Sequence, residues 1–286
     1  METIKFENVD NQAWLQGIMD AYNNHEDKVN GNKITIDFGN GIKPELLYPI
    51  HLTTLACLIQ HLFDKGWSVY GAMTNTNAHN FIFNDLKMNE YWSGGKNHID
   101  ADTSDSIFNL WRIIESEKEV YAKNVEMYFK NNLFNKKDLS SLNICLTEAY
   151  YNVYDHAKTR NAFSLINFDN KANVLYAAIC DFGVGIVNAV RDFKKEISND
   201  QEAMLEAIKA NFTTESTSRN KGFGLDNILT NCDNARIFSG NALLLKSQDN
   251  SRSVFHTDFY FHGTLIYFDV NINNLEDEEV LENFEW

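Results

Sequence analysis

Apolar and polar residues alternate along residues 33–38, Lys-Ile-Thr-Ile-Asp-Phe, as they do in a strand with one buried face. Two glycines and Pro44 then interrupt the pattern. Along residues 51–65 the apolar positions recur on one helical face, and Gly66 follows where helices commonly end. Residues 67–73 predict a second strand. The order strand, loop, helix, glycine, strand indicates an α/β unit.

Further along the chain, helical patterns come first and strand patterns come later. Because the later strands return on one another like hairpins, the pattern indicates an α+β class rather than a doubly wound parallel sheet. Near the N-terminus, Trp14, Leu15, Ile18 and Met19 predict one short amphipathic helix. Helices are predicted at about 114–131, 138–156, 201–210 and 225–232, and strands at 162–168, 174–180, 242–246, 254–261 and 264–271.

The chain has 286 residues, of which 44% are hydrophobic and 23% charged, an ordinary globular mixture for one large or two modest domains. A glycine-containing polar stretch from residue 93 to residue 106 is the predicted boundary. We therefore expect an α/β domain at 1–102, a second domain at 103–275 and an acidic tail at 276–286.

Several classes of protein are disfavoured by composition. No apolar run of about 18 residues predicts a membrane span, and the N-terminus lacks the features of a secretion signal, so a cytoplasmic location is expected. The four cysteines lie far apart, which indicates buried thiols rather than a zinc site. A net charge of −15 would repel phosphates, so no nucleic acid partner is expected.

The predicted helix at 138–156 carries a polar row beside its buried stripe. Glu148, Asn152 and His156 are spaced four residues apart, so they line one side and could face one ligand. Carboxylate and amide oxygens suit Mg²⁺ bound to phosphates. His156 ends the helix, where a cap or a surface group is the alternative to a ligand contact. The buried stripe is predicted to consist of Leu139, Leu142, Leu146, Ala149 and Val153.

Three glycine-bearing segments follow this helix. Asp181-Phe182-Gly183-Val184-Gly185 comes directly after an apolar strand, and its glycines allow a tight turn. Lys221-Gly222-Phe223-Gly224-Leu225 opens a helix, where free backbone amides can bind phosphate. Gly263-Thr264 opens a later predicted strand. Each signal alone is weak, and the order and spacing of the helix motif and the first two glycine-bearing segments carry the prediction.

Together these segments resemble the nucleotide site of the GHKL ATPases, the group that includes gyrase-type ATPases and histidine kinases. The resemblance implies a Bergerat fold, a two-layer α/β sandwich that binds ATP and Mg²⁺. It implies that Asn152 holds Mg²⁺, that Glu148 is the base and that Asp181 accepts a hydrogen bond from the adenine amine. The other implied nucleotide-binding residues are Gly183, Gly185, Lys221, Gly222, Gly224 and Thr264.

Within this group, the pattern Glu-x-x-x-Asn-x-x-x-His from Glu148 is most similar to that of the anti-sigma-factor serine kinases. Residues 30–90 resemble a STAS-like domain, the fold of anti-anti-sigma factors. In that fold a loop before the helix often carries a phosphorylatable serine. Here the corresponding loop, residues 40–48, contains neither serine nor threonine, and Thr53 and Thr54 fall inside the predicted helix.

Three functions fit the sequence. The first is an ATP-using regulatory protein that phosphorylates serine or threonine in a protein, or hydrolyses ATP slowly. The second is an ATPase that gates a dimer, and the third is a non-catalytic module that senses ATP. Glu148 favours the first two, because binding alone needs no base. A protein partner is expected, and a homodimer is one form of it.

Overall fold

The computed structural model of the protein describes residues 2–92, 106–156, 162–209 and 224–278. These residues form a three-stranded parallel sheet in the order β1-β2-β3 and a five-stranded antiparallel sheet in the order β4-β5-β6-β8-β7, with helices around them. The predicted α+β class therefore describes the architecture. The strands are β1 (Glu2–Phe6), β2 (Lys33–Phe38), β3 (Ser68–Gly71), β4 (Ile107–Ile113), β5 (Ala162–Asp169), β6 (Val174–Asp181), β7 (Asn234–Lys246) and β8 (Arg252–Asn271).

The helices divide into those before and those after the undescribed segment 93–105. A π-helical turn at Phe81–Asp85 joins two short helices of the first group. In the described ranges, no helix is long and apolar enough to cross a lipid bilayer. The helices are α1 (Asn11–Asn24), α2 (Pro49–Asp64), α3 (Thr76–Asn80), α4 (Met88–Trp92), α5 (Lys118–Asn132), α6 (Ser140–His156), α7 (Ile186–Phe193), α8 (Asp200–Ala207) and α9 (Gly224–Asn231).

The N-terminal unit follows the predicted order with one strand added. Helix α1 is longer than the predicted stretch because the Asp10 carboxylate accepts hydrogen bonds from two amides of its first turn and so sets its start. Helix α2 begins with Pro49 and is followed by Gly66, whose φ of +91° suits a glycine. Strand β2 has the predicted bounds. Strand β1 was not predicted, and it pairs with β2 in parallel.

The five-stranded sheet corrects two of the strand predictions. Strand β7 starts at Asn234 and is longer than predicted. The two strands predicted at 254–261 and 264–271 form one strand of 20 residues, β8. The glycine between them does not end the strand, because Gly263 adopts a φ of +85° while Phe261 and Thr264 keep partners on neighbouring strands. Strand β4 was not predicted.

Both faces of the five-stranded sheet are covered. One hydrophobic cluster lies between the sheet and α5–α9, and it includes the whole predicted stripe of α6. A second cluster lies on the other face, where α1 and α2 pack between the two sheets. Leu55 of α2 and Phe163 of β5, both fully buried, belong to this second cluster. The order of layers is therefore helices, antiparallel sheet, helices, parallel sheet.

The predicted domain boundary, residues 93–106, lies almost entirely outside the described residues. The division into domains 1–102 and 103–275 stays a prediction, although the second cluster joins residues of both. The start of the acidic tail packs against the end of α5. Asp277 pairs with Lys137 at 2.9 Å, and Glu278 pairs with Lys130. Residues 279–286 lie outside the described ranges.

Candidate functional site

Helix α6 presents two of its predicted site residues beside the buried stripe. Leu142, Leu146 and Ala149 are fully buried in the first cluster, so the helix cannot rotate without exposing them. Glu148 and Asn152 are half-buried and lie one turn apart. The side chain of His156 lies outside the described residues, and its predicted contact stays a prediction.

The start of α9 lies directly against this polar row. The Asn227 side-chain amide donates a hydrogen bond to Glu148 Oε1 at 2.8 Å. A Cβ added to Gly224 would meet Glu148 Oε2 at 3.2 Å and Asn152 Oδ1 at 3.4 Å. The first residue of α9 must therefore be small for the helix to approach both side chains. Gly224 therefore lies beside Glu148 and Asn152.

Asn152 has an unused donor. Its Nδ2 is buried and has no hydrogen-bond partner within the described ranges. A buried amide nitrogen without a partner costs free energy, so such groups are usually found where another molecule or segment supplies the partner. The amide oxygen of the same side chain faces the start of α9.

Asp181 ends β6 on the face of the sheet that carries α6. Ile179 and Ala177, two and four residues earlier, belong to the first cluster, and side chains along a strand alternate between faces. The carboxyl is 1% exposed. Its Oδ1 accepts a hydrogen bond from the Gly183 amide at 2.8 Å, and its Oδ2 is buried with no partner in the described part of the chain.

Burial controls the ionisation of this carboxyl. Loss of hydration raises the pKa of Asp181 from 3.8 to about 7, although the backbone amides of Gly183 and Thr264 favour the charged form. Near neutral pH the group therefore lies between an acceptor-only carboxylate and a protonated acid. A carboxylate poised in this way, with one oxygen unpaired, can accept a hydrogen bond from a ligand.

Thr264 and Gly185 lie beside Asp181. Thr264 is the register partner of Asp181 on β8 and is 6% exposed. Gly185 precedes α7 with a φ of +81°, and a Cβ there would come within 2.6 Å of the Gly263 carbonyl oxygen and 2.7 Å of Ser239 Oγ. The turn after β6 therefore packs tightly on β7 and β8.

The structure groups the predicted residues into two sets on one face of the sheet. Glu148, Asn152 and Gly224 form the first set, where α6 meets α9. Helix α6 also contacts β6 and β8, the strands that carry the second set. Lys221 and Gly222 lie outside the described residues, so their roles stay predictions. The second set consists of Asp181, Gly183, Gly185 and Thr264.

Two supporting residues were missed by sequence reasoning. Asn227 holds Glu148, and Ser239 donates to the Gly263 carbonyl at 2.9 Å. The spacing of Asn227, three residues after Gly224 and thus on the adjacent turn of the same helix, was a usable signal. Ser239 had none, because its contact depends on how β7 and β8 pair.

The site contains few candidate metal ligands. In the described ranges no group of three or more His, Cys, Asp or Glu side chains could hold a metal ion. A Mg²⁺ ion bound to phosphates needs only one or two protein oxygens and keeps several waters. The amide oxygen of Asn152, next to the Glu148 carboxylate, fits that requirement.

Comparisons with protein-family models, with curated proteins and with solved structures found no match to this chain.

Proposed function

We propose that this chain is an ATP-binding regulatory protein of the GHKL type, with a Bergerat ATP-binding fold at 103–275 and a STAS-like unit before it. The observation that carries the proposal is the buried Asp181 carboxyl with one unpaired oxygen, on the same sheet face as Glu148 and Asn152. The order of these residues along the chain is the order of the resembled family.

In the proposed complex, the free Oδ2 of Asp181 accepts a hydrogen bond from the exocyclic amine of adenine. Guanine carries a carbonyl at the corresponding position and would face the carboxylate with a second acceptor, so adenine is preferred. Thr264 supplies a hydroxyl beside the carboxyl. Gly183 and Gly185 are the proposed neighbours of the ring. Gly185 holds the turn against β7 and β8, because a side chain there would collide with Gly263 and Ser239.

Asn152 is the proposed protein ligand of Mg²⁺, through its amide oxygen. The metal ion would neutralise charge on the phosphates of ATP. The unpaired Nδ2 of Asn152 is then free to donate to a phosphate oxygen. Gly224 at the start of α9 is a proposed phosphate neighbour, together with Lys221 and Gly222, which precede it in the sequence.

Glu148 is the proposed base. Asn227 holds its Oε1 and leaves Oε2 to accept a proton from the attacking hydroxyl. The attacking group is a protein serine or threonine in a phosphorylation reaction, and water in slow hydrolysis. An orienting partner for this carboxylate favours both reactions over a module that only senses ATP, since binding alone needs no oriented base. An ATP-gated dimeric ATPase uses the same residues.

Calorimetric titration with Mg-ATP, Mg-ADP and Mg-GTP, followed by phosphate release on the same sample, tests the proposal. Adenine nucleotides are expected to bind and Mg-GTP to bind at least tenfold more weakly. Asp181→Asn should weaken Mg-ATP binding by tenfold or more, because one charged acceptor worth about 1.5–3 kcal/mol is lost. Asp200→Asn is the matched control, since Asp200 is also a buried carboxylate but pairs with Arg191.

Glu148→Gln separates binding from chemistry. This variant should bind Mg-ATP as the parent does and lose turnover, measured as phosphate release or as transfer to an added protein acceptor. Glu206→Gln, on α8, is the control for a partly buried helical glutamate. Unchanged turnover in Glu148→Gln would remove the enzymatic proposal, and no binding of Mg-ATP to the parent would remove the nucleotide site.

A further inference from the structure

A cavity of about 690 Å³ lies on the other face of the five-stranded sheet. Its floor carries Tyr176 of β6 and Tyr267 of β8, and its wall is formed by the start of α1 and the residues before α2. Tyr176 is five residues from Asp181 along β6, an odd number, so the two side chains point to opposite faces. The cavity is therefore separate from the proposed nucleotide site.

Three aromatic rings shape this cavity. Tyr176 and Tyr267 lie nearly parallel, with 6.1 Å between ring centroids and 9° between planes. Tyr48 stands almost perpendicular to Tyr176, at 5.4 Å and 79°. A floor of parallel rings and a perpendicular wall offer a flat ring both offset-stacked and edge-to-face contacts.

The polar groups of the cavity define the charge of its ligand. The hydroxyl groups of Tyr48, Tyr176 and Tyr267 have no hydrogen-bond partner among the described residues, and neither does the exposed guanidinium of Arg236. Arg236 neighbours Tyr267 in the sheet register. Guanidinium groups bind carboxylates and phosphates with two parallel hydrogen bonds.

The other charged side chains of the lining already have partners. Asp10 caps α1, and Asp269 accepts a hydrogen bond from Asn234 at 3.0 Å. Lys246 is buried and donates to the carbonyl oxygens of Cys232 and Asp233. In the described part of the lining, Arg236 is thus the one charged group without a hydrogen bond or an ion pair. Burial raises the pKa of Asp269, and the charge of Arg236 acts against that rise.

His51 adds no charge. Its Nδ1 accepts from the Tyr48 amide, its Nε2 lies 3.0 Å from the Val9 carbonyl oxygen, and burial lowers the pKa of the ring to about 4. The ring is therefore neutral at physiological pH and rigidly held. It fixes the segment that carries Tyr48 against the start of α1.

We propose that this cavity binds a small planar aromatic anion, with the ring on Tyr176 and Tyr267 and a carboxylate or phosphate on Arg236. Its volume falls within the range of about 300–1,000 Å³ that is common for small-molecule sites. The combination of aromatic walls with one unpaired cation matches an aromatic acid better than a neutral or a purely anionic ligand.

Calorimetric titration of the full chain with 2-naphthoate and with 2-naphthyl phosphate tests this proposal. At least one probe is expected to bind, and their order of affinity distinguishes the carboxylate from the phosphate. The neutral 2-naphthalenemethanol and the non-aromatic cyclohexanecarboxylate should each bind at least tenfold more weakly. Absence of binding by both aromatic anions at millimolar concentration would overturn the proposal.

Variants locate the binding. Arg236→Gln should weaken binding of the aromatic anion at least tenfold and leave binding of the neutral alcohol unchanged. Arg236→Lys should restore part of the lost affinity. Arg236 is exposed, so the fold should tolerate both changes, as thermal unfolding would verify. Arg252→Gln, which alters an arginine paired with Asp226, is the matched control. Equal affinity in Arg236→Gln would overturn the proposed site.

Asp181→Asn separates this proposal from the nucleotide site on the other face. Binding of the aromatic anion should be the same in this variant as in the parent. If Asp181→Asn lost binding of the probe and Arg236→Gln kept it, the probe would occupy the proposed adenine site. The second site would then be withdrawn.

Discussion

Asp181 combines two properties that conflict in most proteins. It is a carboxyl group held away from water, and its Oδ2 lacks a partner in the described structure. The fold keeps it in this state because β6 ends there and the Gly183 amide satisfies only Oδ1. A buried carboxyl oxygen without a partner costs stability, and the proposed adenine contact would supply that partner.

The ionisation of Asp181 predicts how stability depends on pH. Its folded pKa of about 7 lies above the unfolded value of 3.8, so the folded state holds the proton more tightly. Stability should therefore fall as pH rises from about 4 to about 7, by roughly 4 kcal/mol from this group alone. Asp181→Asn cannot ionise and should escape this loss.

Urea unfolding of the parent and of Asp181→Asn between pH 4.5 and pH 8 measures the difference. The free energy of unfolding of the variant, relative to that of the parent, should increase as pH rises and become constant above pH 7. Asp200→Asn is the control for replacing a buried carboxylate that has an ion-pair partner, Arg191. Parallel curves for the parent and Asp181→Asn would contradict the argument.

At the scale of elements, the contact between α6 and α9 makes the first part of the candidate site. Two helices can place polar side chains at their crossing only if one backbone comes close, and Gly224 permits this. The Asn227 amide then ties α9 to the Glu148 carboxylate. The start of α9 is therefore the element that positions the proposed base.

Gly224→Ala tests this positioning. The added methyl group would lie 3.2 Å from Glu148 Oε2, so the carboxylate must shift by a few tenths of an ångström. Turnover should fall about tenfold, because displacement of a catalytic group by a fraction of an ångström is costly. Stability should change by less than about 1 kcal/mol, since Ala favours helices.

Phosphate release and urea unfolding measure both effects of Gly224→Ala. Gly17→Ala in α1 is a matched control, because its added Cβ would meet only the Phe6 ring at an ordinary 3.5 Å. Normal turnover in Gly224→Ala would show that the approach of α9 to Glu148 has no part in the reaction.

The β8 strand depends on a second glycine. Gly263 has a φ of +85°, and a Cβ there would overlap the Asp181 carbonyl oxygen, a backbone atom that cannot turn away. Gly263→Ala should therefore destabilise the protein by more than about 3 kcal/mol, while Gly31→Ala, with a φ of +72° and open space, should cost only about 1–2 kcal/mol. If urea unfolding showed equal losses of stability in Gly263→Ala and Gly31→Ala, the result would contradict this packing.

At the scale of the whole molecule, the antiparallel sheet packs against other elements on both of its faces. One face supports the candidate nucleotide site and the other face packs on α1 and α2. Cys57 of α2 donates to the carbonyl oxygen of Cys180, the residue before Asp181. The N-terminal unit is thus in direct contact with the strand that carries the site.

Leu55→Ala tests whether the two sheets unfold together. Leu55 is fully buried between them, and its truncation should cost about 2–5 kcal/mol. Because the second cluster includes residues of both sheets, fluorescence and far-ultraviolet circular dichroism should report one coincident urea transition. Leu205→Ala, at a 48% exposed position, should cost less than about 1 kcal/mol. Two separate transitions would show that the second cluster does not couple the sheets.

Much of the fold was predictable from local patterns. The alternation in β2 and the apolar stripe of α6 were predicted correctly, because each element buries one face with a regular period. Strands β1 and β4 were missed, since each is a short edge strand that depends on its neighbour for pairing. Gly263 was interpreted as a break between strands, because a sequence cannot show that β7 pairs with the strand on both sides of it.

The sequence by itself determined which residues share a helix face or a turn: Glu148 with Asn152, and Asp181 with Gly183 and Gly185. These relations follow from helical and strand periods, which act within a few residues. Only the tertiary structure decided that Asn227 holds Glu148 and that three tyrosines line one cavity together with Arg236. Such contacts join residues 79 or more positions apart or on different strands, and they depend on how the sheet and helices pack rather than on local spacing.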